Sequence, residues 1–171
     1  MGTHNLFLRL GDSIFLEVIA CNPNARRPDR PRWFALDEIN KNTLPQLKTW
    51  VVRTDNIHSV LEKSFESLGE IEPMSRGENN WLITIPKDGS IPFKGGAPAL
   101  IQWQVKKHPA KNLKDYGLSL SKFIIYHPEA EKLNKLLSSI NLKTKVEVLQ
   151  GVKTKLSAYI NTPHGVREIS V

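Results

Sequence analysis

The chain has 171 residues, 40% of them apolar and 24% charged, the balance of an ordinary globular domain long enough to bury one hydrophobic core. Its net charge of +7 invites an acidic partner, yet the lysines are scattered. The densest basic stretch, Arg26-Arg27-Pro28-Asp29-Arg30-Pro31-Arg32, is broken by prolines and an aspartate, which argues against nucleic-acid binding. No apolar run is long enough to span a bilayer, no leader-like segment is visible, and the lone Cys21 excludes an internal disulfide, so a cytoplasmic protein without a membrane partner is expected.

In chain order, residues 4–10 and 14–20 are two β-rich runs around Gly11-Asp12-Ser13, an antiparallel hairpin. Residues 21–31, with three prolines and no apolar period, predict a loop, and Trp33-Phe34-Ala35-Leu36 packs an apolar plug at its end. Residues 49–54 predict a strand. Asp55 is a candidate N-cap for a helix over 56–68, with Ile57, Val60, Leu61, Phe65 and Leu68 as its buried stripe and Gly69 as the stop. Strands are expected at 81–85 and 99–105. The pattern then restarts, with a strand over 118–126 and a helix opened by Pro128 that buries Ala130, Leu133, Leu136, Leu137 and Ile140. Strands at 146–150 and 156–161 and a short run over 166–171 complete it.

The restart is the most informative feature. Trp50-Val51-Val52-Arg53-Thr54-Asp55 aligns with Phe123-Ile124-Ile125-Tyr126-His127-Pro128 at a constant offset of 73 positions (123 less 50), and the helix faces coincide. One helix cannot cover both faces of a sheet, so repeated α+β units must pack together. The hairpin then resembles the second half of a unit whose leading strand and helix are absent. The division expected is a partial first unit and loop over 1–46, a second unit over 47–110 and a third over 111–171.

Several blocks carry a family resemblance: Thr3-His4-Asn5-Leu6-Phe7-Leu8-Arg9-Leu10-Gly11, Phe15-Leu16-Glu17-Val18-Ile19-Ala20, Arg30-Pro31-Arg32-Trp33-Phe34-Ala35-Leu36-Asp37, Met74-Ser75-Arg76-Gly77, Ala99-Leu100-Ile101-Gln102-Trp103 and His108-Pro109. Their ordered series resembles glyoxalase-like domains of the vicinal-oxygen-chelate superfamily over nearly the whole chain. The resemblance implies an α+β fold of βαββ(β) units whose curved sheets cup a small molecule, with the first unit truncated at its N-terminus. It also implies lyase, isomerase or dioxygenase-type chemistry, often with a divalent metal held by His and Glu on leading and closing strands. Here neither retained leading strand has a histidine, and Gln102 stands where relatives often have Glu. No metal site is therefore expected within this chain. A divalent metal is expected only if upstream residues supply ligands.

The candidate site residues each have two readings. Glu17 reads as a general base or ligand, or as a strand carboxylate facing water or pairing with Arg9. His4 lines a pocket beside Glu17 or sits on the surface. Arg32 and Trp33 close a cavity, Arg32 on an anionic group, or plug the loop onto the core. Arg76 binds a carboxylate or lies in a turn. Gln102 and Trp103 point to opposite faces of one strand, so one meets the cup and the other the helix. His58, His108, His127 and His164 fall in expected loop or solvent positions, and no phosphate loop or nucleophile elbow is present. Two functions remain open: a glyoxalase-like enzyme using Glu17, or a non-catalytic module of the same fold that sequesters a ligand or binds protein. A homodimer is an open expectation for light scattering.

Overall fold

A computed structural model describes residues 1–142 and 146–170. The hairpin forms as expected, β1 (Thr3–Arg9) against β2 (Phe15–Cys21), with Leu6 opposite Val18 and Phe7 opposite Glu17. It remains a two-stranded sheet of its own. Side-chain alternation divides it sharply. Thr3, Asn5, Phe7, Phe15, Glu17, Ile19 and Cys21 share one face, and Ile19 and Cys21 pack into a core with Trp33, Leu36, Trp81 and Ile83. The opposite face is exposed, Leu6 at 75% and Val18 at 60%.

Next come β3 (Val51–Arg53), α1 (Ile57–Lys63), β4 (Glu70–Arg76), β5 (Asn79–Ile85) and β6 (Ala99–Trp103), whose strands form a sheet in the order β3-β6-β5-β4. Asn56, one residue after the expected cap, closes the N-terminus of α1 by accepting from the Ser59 amide at 3.0 Å. The helix is shorter than its apolar stripe suggests. Ser64 turns extended and its hydroxyl donates to the Glu66 carbonyl at 2.7 Å, which leaves Phe65 outside the helix and 54% exposed. Strand β4 has no apolar alternation to announce it and carries Pro73. As the edge strand of its sheet it tolerates the missing amide donor.

The last segment contributes β7 (Ser119–His127), α2 (Ala130–Ser139), β8 (Glu147–Gln150), β9 (Lys155–Thr162) and β10 (Gly165–Ser170), ordered β10-β9-β7-β8. The end of the expected final strand, Val171, lies outside the described residues. Both helices begin at the expected offset, Ile57 and Ala130. The strands after them are wired differently. β3 pairs in parallel with β6, the last strand of its unit, whereas β7 pairs in parallel with β8, the strand directly after its helix.

One core joins the two sheets across the helices, with Ile57, Leu68, Leu100, Ile125, Leu133, Leu136 and Leu156 all buried in it. Trp50 and Phe123, equivalent positions in the two units, meet there with ring centroids 5.4 Å apart. His127, expected in a loop, is instead 3% exposed at the end of β7. Its Nδ1 accepts from the Glu129 amide at 3.0 Å, so the neutral ring donates from Nε2 to the Phe93 carbonyl, 3.1 Å away. No helix among the described residues is long and apolar enough to cross a membrane.

Candidate functional site

The sheet β3-β6-β5-β4 has two unlike faces. Leu100 and Leu82 meet the helices, while Ala99, Ile101, Trp81, Ile83 and Met74 belong with the inner face of the hairpin. The hairpin's inner face and this side of the sheet form one packed layer. Its aromatic side chains form a continuous row from one sheet to the other: Phe7 to Phe15 (5.0 Å between centroids), Phe15 to His108 (5.9 Å), His108 to Trp103 (5.9 Å) and Trp103 to Trp81 (5.4 Å). Phe7, Phe15, Trp103 and His108 fall in the blocks that carry the family resemblance, and Trp81 alone of the five lies outside them.

Glu17 sits on this inner face, half-buried. Asn5, one step away on the neighbouring strand, donates from Nδ2 to its carboxylate at 2.5 Å. Burial raises the Glu17 carboxyl above its ordinary value, and the Asn5 hydrogen bond and the Arg76 guanidinium only partly offset this. Arg76 in turn donates from Nη2 to the hydroxyl and carbonyl of Thr3, at 3.2 and 3.4 Å, tying β4 to β1. The structure therefore brings Glu17 and Arg76 together and adds Asn5 and Thr3 to them. Arg9 does not pair with Glu17; its guanidinium reaches Asp12 at 2.6 Å and Asp115 at 3.6 Å.

Other expected members are placed elsewhere, each for a visible reason. His4 has the opposite parity from Asn5 and lies exposed on the outer face, away from Glu17. Arg32 is buried, but its guanidinium is committed to Asp37 (2.5 Å) and to the Met1 carbonyl (3.2 Å), and the Arg32 amide bonds the same carboxylate at 2.8 Å. These bonds hold the Asp37 carboxyl below its ordinary value and make Arg32 a clamp on its own loop rather than a free anion holder. Gln102 faces the helix side, where its Oε1 accepts from the Ile57 amide at 2.8 Å; its neighbour Trp103 packs on the side that faces the hairpin. Trp33 is 6% exposed, stacks on Phe34 and carries an indole N–H with no protein acceptor among the described residues. A buried donor left over in this way marks a place that a water or a ligand oxygen completes.

A family model described as a glyoxalase-like domain matches residues 1–140, most of the chain, and the protein belongs to that family. The family falls within the vicinal-oxygen-chelate superfamily, in keeping with the mixed α+β architecture. Comparison with curated proteins and with solved structures finds no match.

The divalent metal associated with this superfamily does not fit the residues around Glu17. The carboxylate is held by an amide donor and faces a guanidinium, and a further cation there meets repulsion in place of ligands. Among the described residues, no three His, Cys, Asp or Glu side chains converge as a metal site requires. The arrangement can instead accept or hold a proton at the Glu17 carboxylate and offer an adjacent positive charge.

The raised Glu17 carboxyl has a consequence for stability. The folded chain retains the Glu17 proton above pH 4.5, where the unfolded chain releases it. Stability from this group therefore falls as pH rises through that window and levels off above the folded value. Glu17→Gln keeps an oxygen for Asn5 and removes the charge, so it should melt higher than wild type at pH 7 and lose less stability between pH 4 and pH 7. Thermal melts across that range check this; a lower melting temperature for the variant at pH 7 refutes it.

Proposed function

We propose that this glyoxalase-like chain binds a small polar organic molecule between the inner face of its hairpin and the facing sheet, without a resident metal. The observation that carries the reading is Glu17, a carboxylate kept half-buried on an apolar, aromatic face with its carboxyl raised, beside Asn5 and Arg76. Such a group costs stability, and perturbed titratable groups in enclosed layers cluster at working sites. The acceptor-less indole N–H of Trp33 in the same core supports it with a second polar group left for an outside partner.

A second reading, an enzyme of the lyase or isomerase type, draws on the same carboxylate. A raised carboxyl is better matched to taking a proton from carbon near neutral pH, and Arg76 supplies charge for a developing oxyanion. The donor set gives dioxygenase-type chemistry no comparable support, since it comprises an amide and a guanidinium around one carboxylate.

The two readings separate in one experiment. Wild type, Arg76→Gln and Glu17→Gln are titrated with a panel of short 2-oxo and 2-hydroxy acids by calorimetry, and the same mixtures are followed by proton NMR in deuterated water. Binding is expected to weaken about tenfold or more in Arg76→Gln, roughly 1.4 kcal/mol. If the chain is an enzyme, carbon-bound hydrogen exchanges with solvent in wild type and not in Glu17→Gln. Binding without exchange supports the sequestering role, and no binding by any member of the panel overturns the proposal for this ligand class.

A further inference from the structure

A concavity lies at the C-terminal ends of β3 and β6. It encloses about 250 Å³ and is bordered by Arg53, Asp55, Gln102, Trp103, Lys106 and His108. This is smaller than the pockets that hold drug-sized molecules, about 300–1,000 Å³, and suits a compact ligand.

The polar groups around it are nearly all donors, and the chain itself fixes that. Gln102 accepts from the Ile57 amide through Oε1, which locks the side-chain amide in one orientation and leaves its Nε2 hydrogens for the cleft. His108 accepts from the Ala110 amide at Nδ1, so the neutral ring carries its hydrogen on Nε2. Burial, then the nearby charges of Arg53 and Lys111, lower the proton affinity of His108 and favour that neutral form. Arg53 and Lys106 are exposed and form no ion pair among the described residues. Asp55, at the approach to α1, is the one acid against these two cations.

Trp103 supplies the apolar wall. Its indole meets the His108 ring edge-on, the planes at 79°, so the imidazole closes one side without covering the indole by stacking. Arg53 and Lys106 border the same cleft as the indole, so a flat unsaturated group against Trp103 has two cations in that cleft for an attached carboxylate. We infer that this cleft is a binding site for a small planar organic anion, an aromatic or unsaturated carboxylate. The cleft shares Trp103 and His108 with the aromatic row of the hairpin–sheet layer, and so adjoins the site proposed above, but its charge comes from Arg53 and Lys106 in place of Arg76.

The test uses the full chain and three probes, benzoate, its neutral counterpart benzamide, and inorganic phosphate, read by two-dimensional amide and indole NMR. Benzoate should shift the Trp103 indole and the backbone signals of Lys106 and His108 in a saturable way. Benzamide should bind at least tenfold more weakly for want of charge, and phosphate at least fivefold more weakly for want of a planar body. Arg53→Gln and Lys106→Gln, both at exposed positions, should each weaken benzoate at least fivefold while the rest of the spectrum stays native. Two variants keep the test decisive if one fails to fold. The proposal is overturned if benzoate shifts fall elsewhere on the molecule, if both variants bind as wild type does, or if benzamide or phosphate matches benzoate.

Discussion

Gly89→Ala is expected to lower the stability of the fold by about 2–5 kcal/mol, combining the cost of a left-handed residue with a Cβ and the cost of a steric overlap. Gly89 is buried in the turn after β5 at φ +72°, and an added Cβ would lie 2.2 Å from the Arg32 carbonyl oxygen and 3.0 Å from the Pro31 Cβ. The turn cannot simply retreat, because the Gly89 carbonyl accepts from the Ala35 amide at 2.8 Å and its own amide donates to Pro86 at 2.9 Å. The substitution therefore pushes on the segment that seats Trp33 and the Arg32–Asp37 clamp. Gly77→Ala is the matched comparison. Gly77 has φ +58° but nothing within 4 Å of an added Cβ, so only the backbone term applies, about 1–2 kcal/mol. Urea denaturation of both variants checks the difference; equal losses would mean that the Gly89 contact is not under pressure.

Leu133→Ala should cost about 3–5 kcal/mol, the range for truncating a fully buried leucine that leaves a cavity. Leu133 is 0% exposed on α2, and its Cδ2 lies 3.1 Å from where a Cβ on Gly96 would stand, in the core that unites both four-stranded sheets. The backbone there is anchored by the Trp50 indole, which donates to the Gly96 carbonyl at 2.9 Å, so collapse into the void is restricted. Phe65→Ala, by contrast, removes a larger side chain that is half in water, and should change stability by less than about 1 kcal/mol. The pair distinguishes true core positions from an apolar residue that merely continues a periodic pattern.

That contrast explains how far the sequence could be read. Apolar periodicity located both helices because Ile57 and Ala130, then Val60 and Leu133, repeat at one spacing, with Ile57, Val60 and Leu133 meeting in the same core. It overran α1 because nothing in the pattern reports the Ser64 hydroxyl turning back on the Glu66 carbonyl. Strand β4 escaped notice because an edge strand holding Pro73 and alternating acids has no apolar signature. The strand wiring was hidden as well: β6 and β8 are both short strands, and which strand of a unit closes beside the leading one depends on long-range packing.

The candidate site was legible in part. Parity along a strand put Glu17 on one face with Phe15 and Ile19 without saying whether that face lay inward, and the same rule put Gln102 and Trp103 on opposite faces. It did not say which face met the helix; the Ile57 amide settles that by taking the Gln102 oxygen. Arg32 looked available because its partner, Asp37, is five residues away across a turn whose residues Phe34 and Ala35 adopt positive φ, a path not foreseen from side-chain chemistry. Asn5 and Thr3 were overlooked since small polar residues in a strand are unremarkable until the facing strand brings Glu17 and Arg76 to them.

Among the described residues the first two strands bond to each other and to no third strand, and a lone β-ribbon is marginal by itself. Its attachment is made by side chains such as Ile19, Cys21 and the Arg76–Thr3 contact, not by a shared amide ladder. This ribbon is therefore the natural candidate for a separately opening foldon, able to lift while the helical core stays intact. Hydrogen exchange at Leu6, Leu8 and Val18 would then run ahead of exchange at Ile83, Ile101 and Ile125. Such breathing would provide a route for solutes to and from the buried carboxylate without any lid, and a cargo held against Glu17 would slow it.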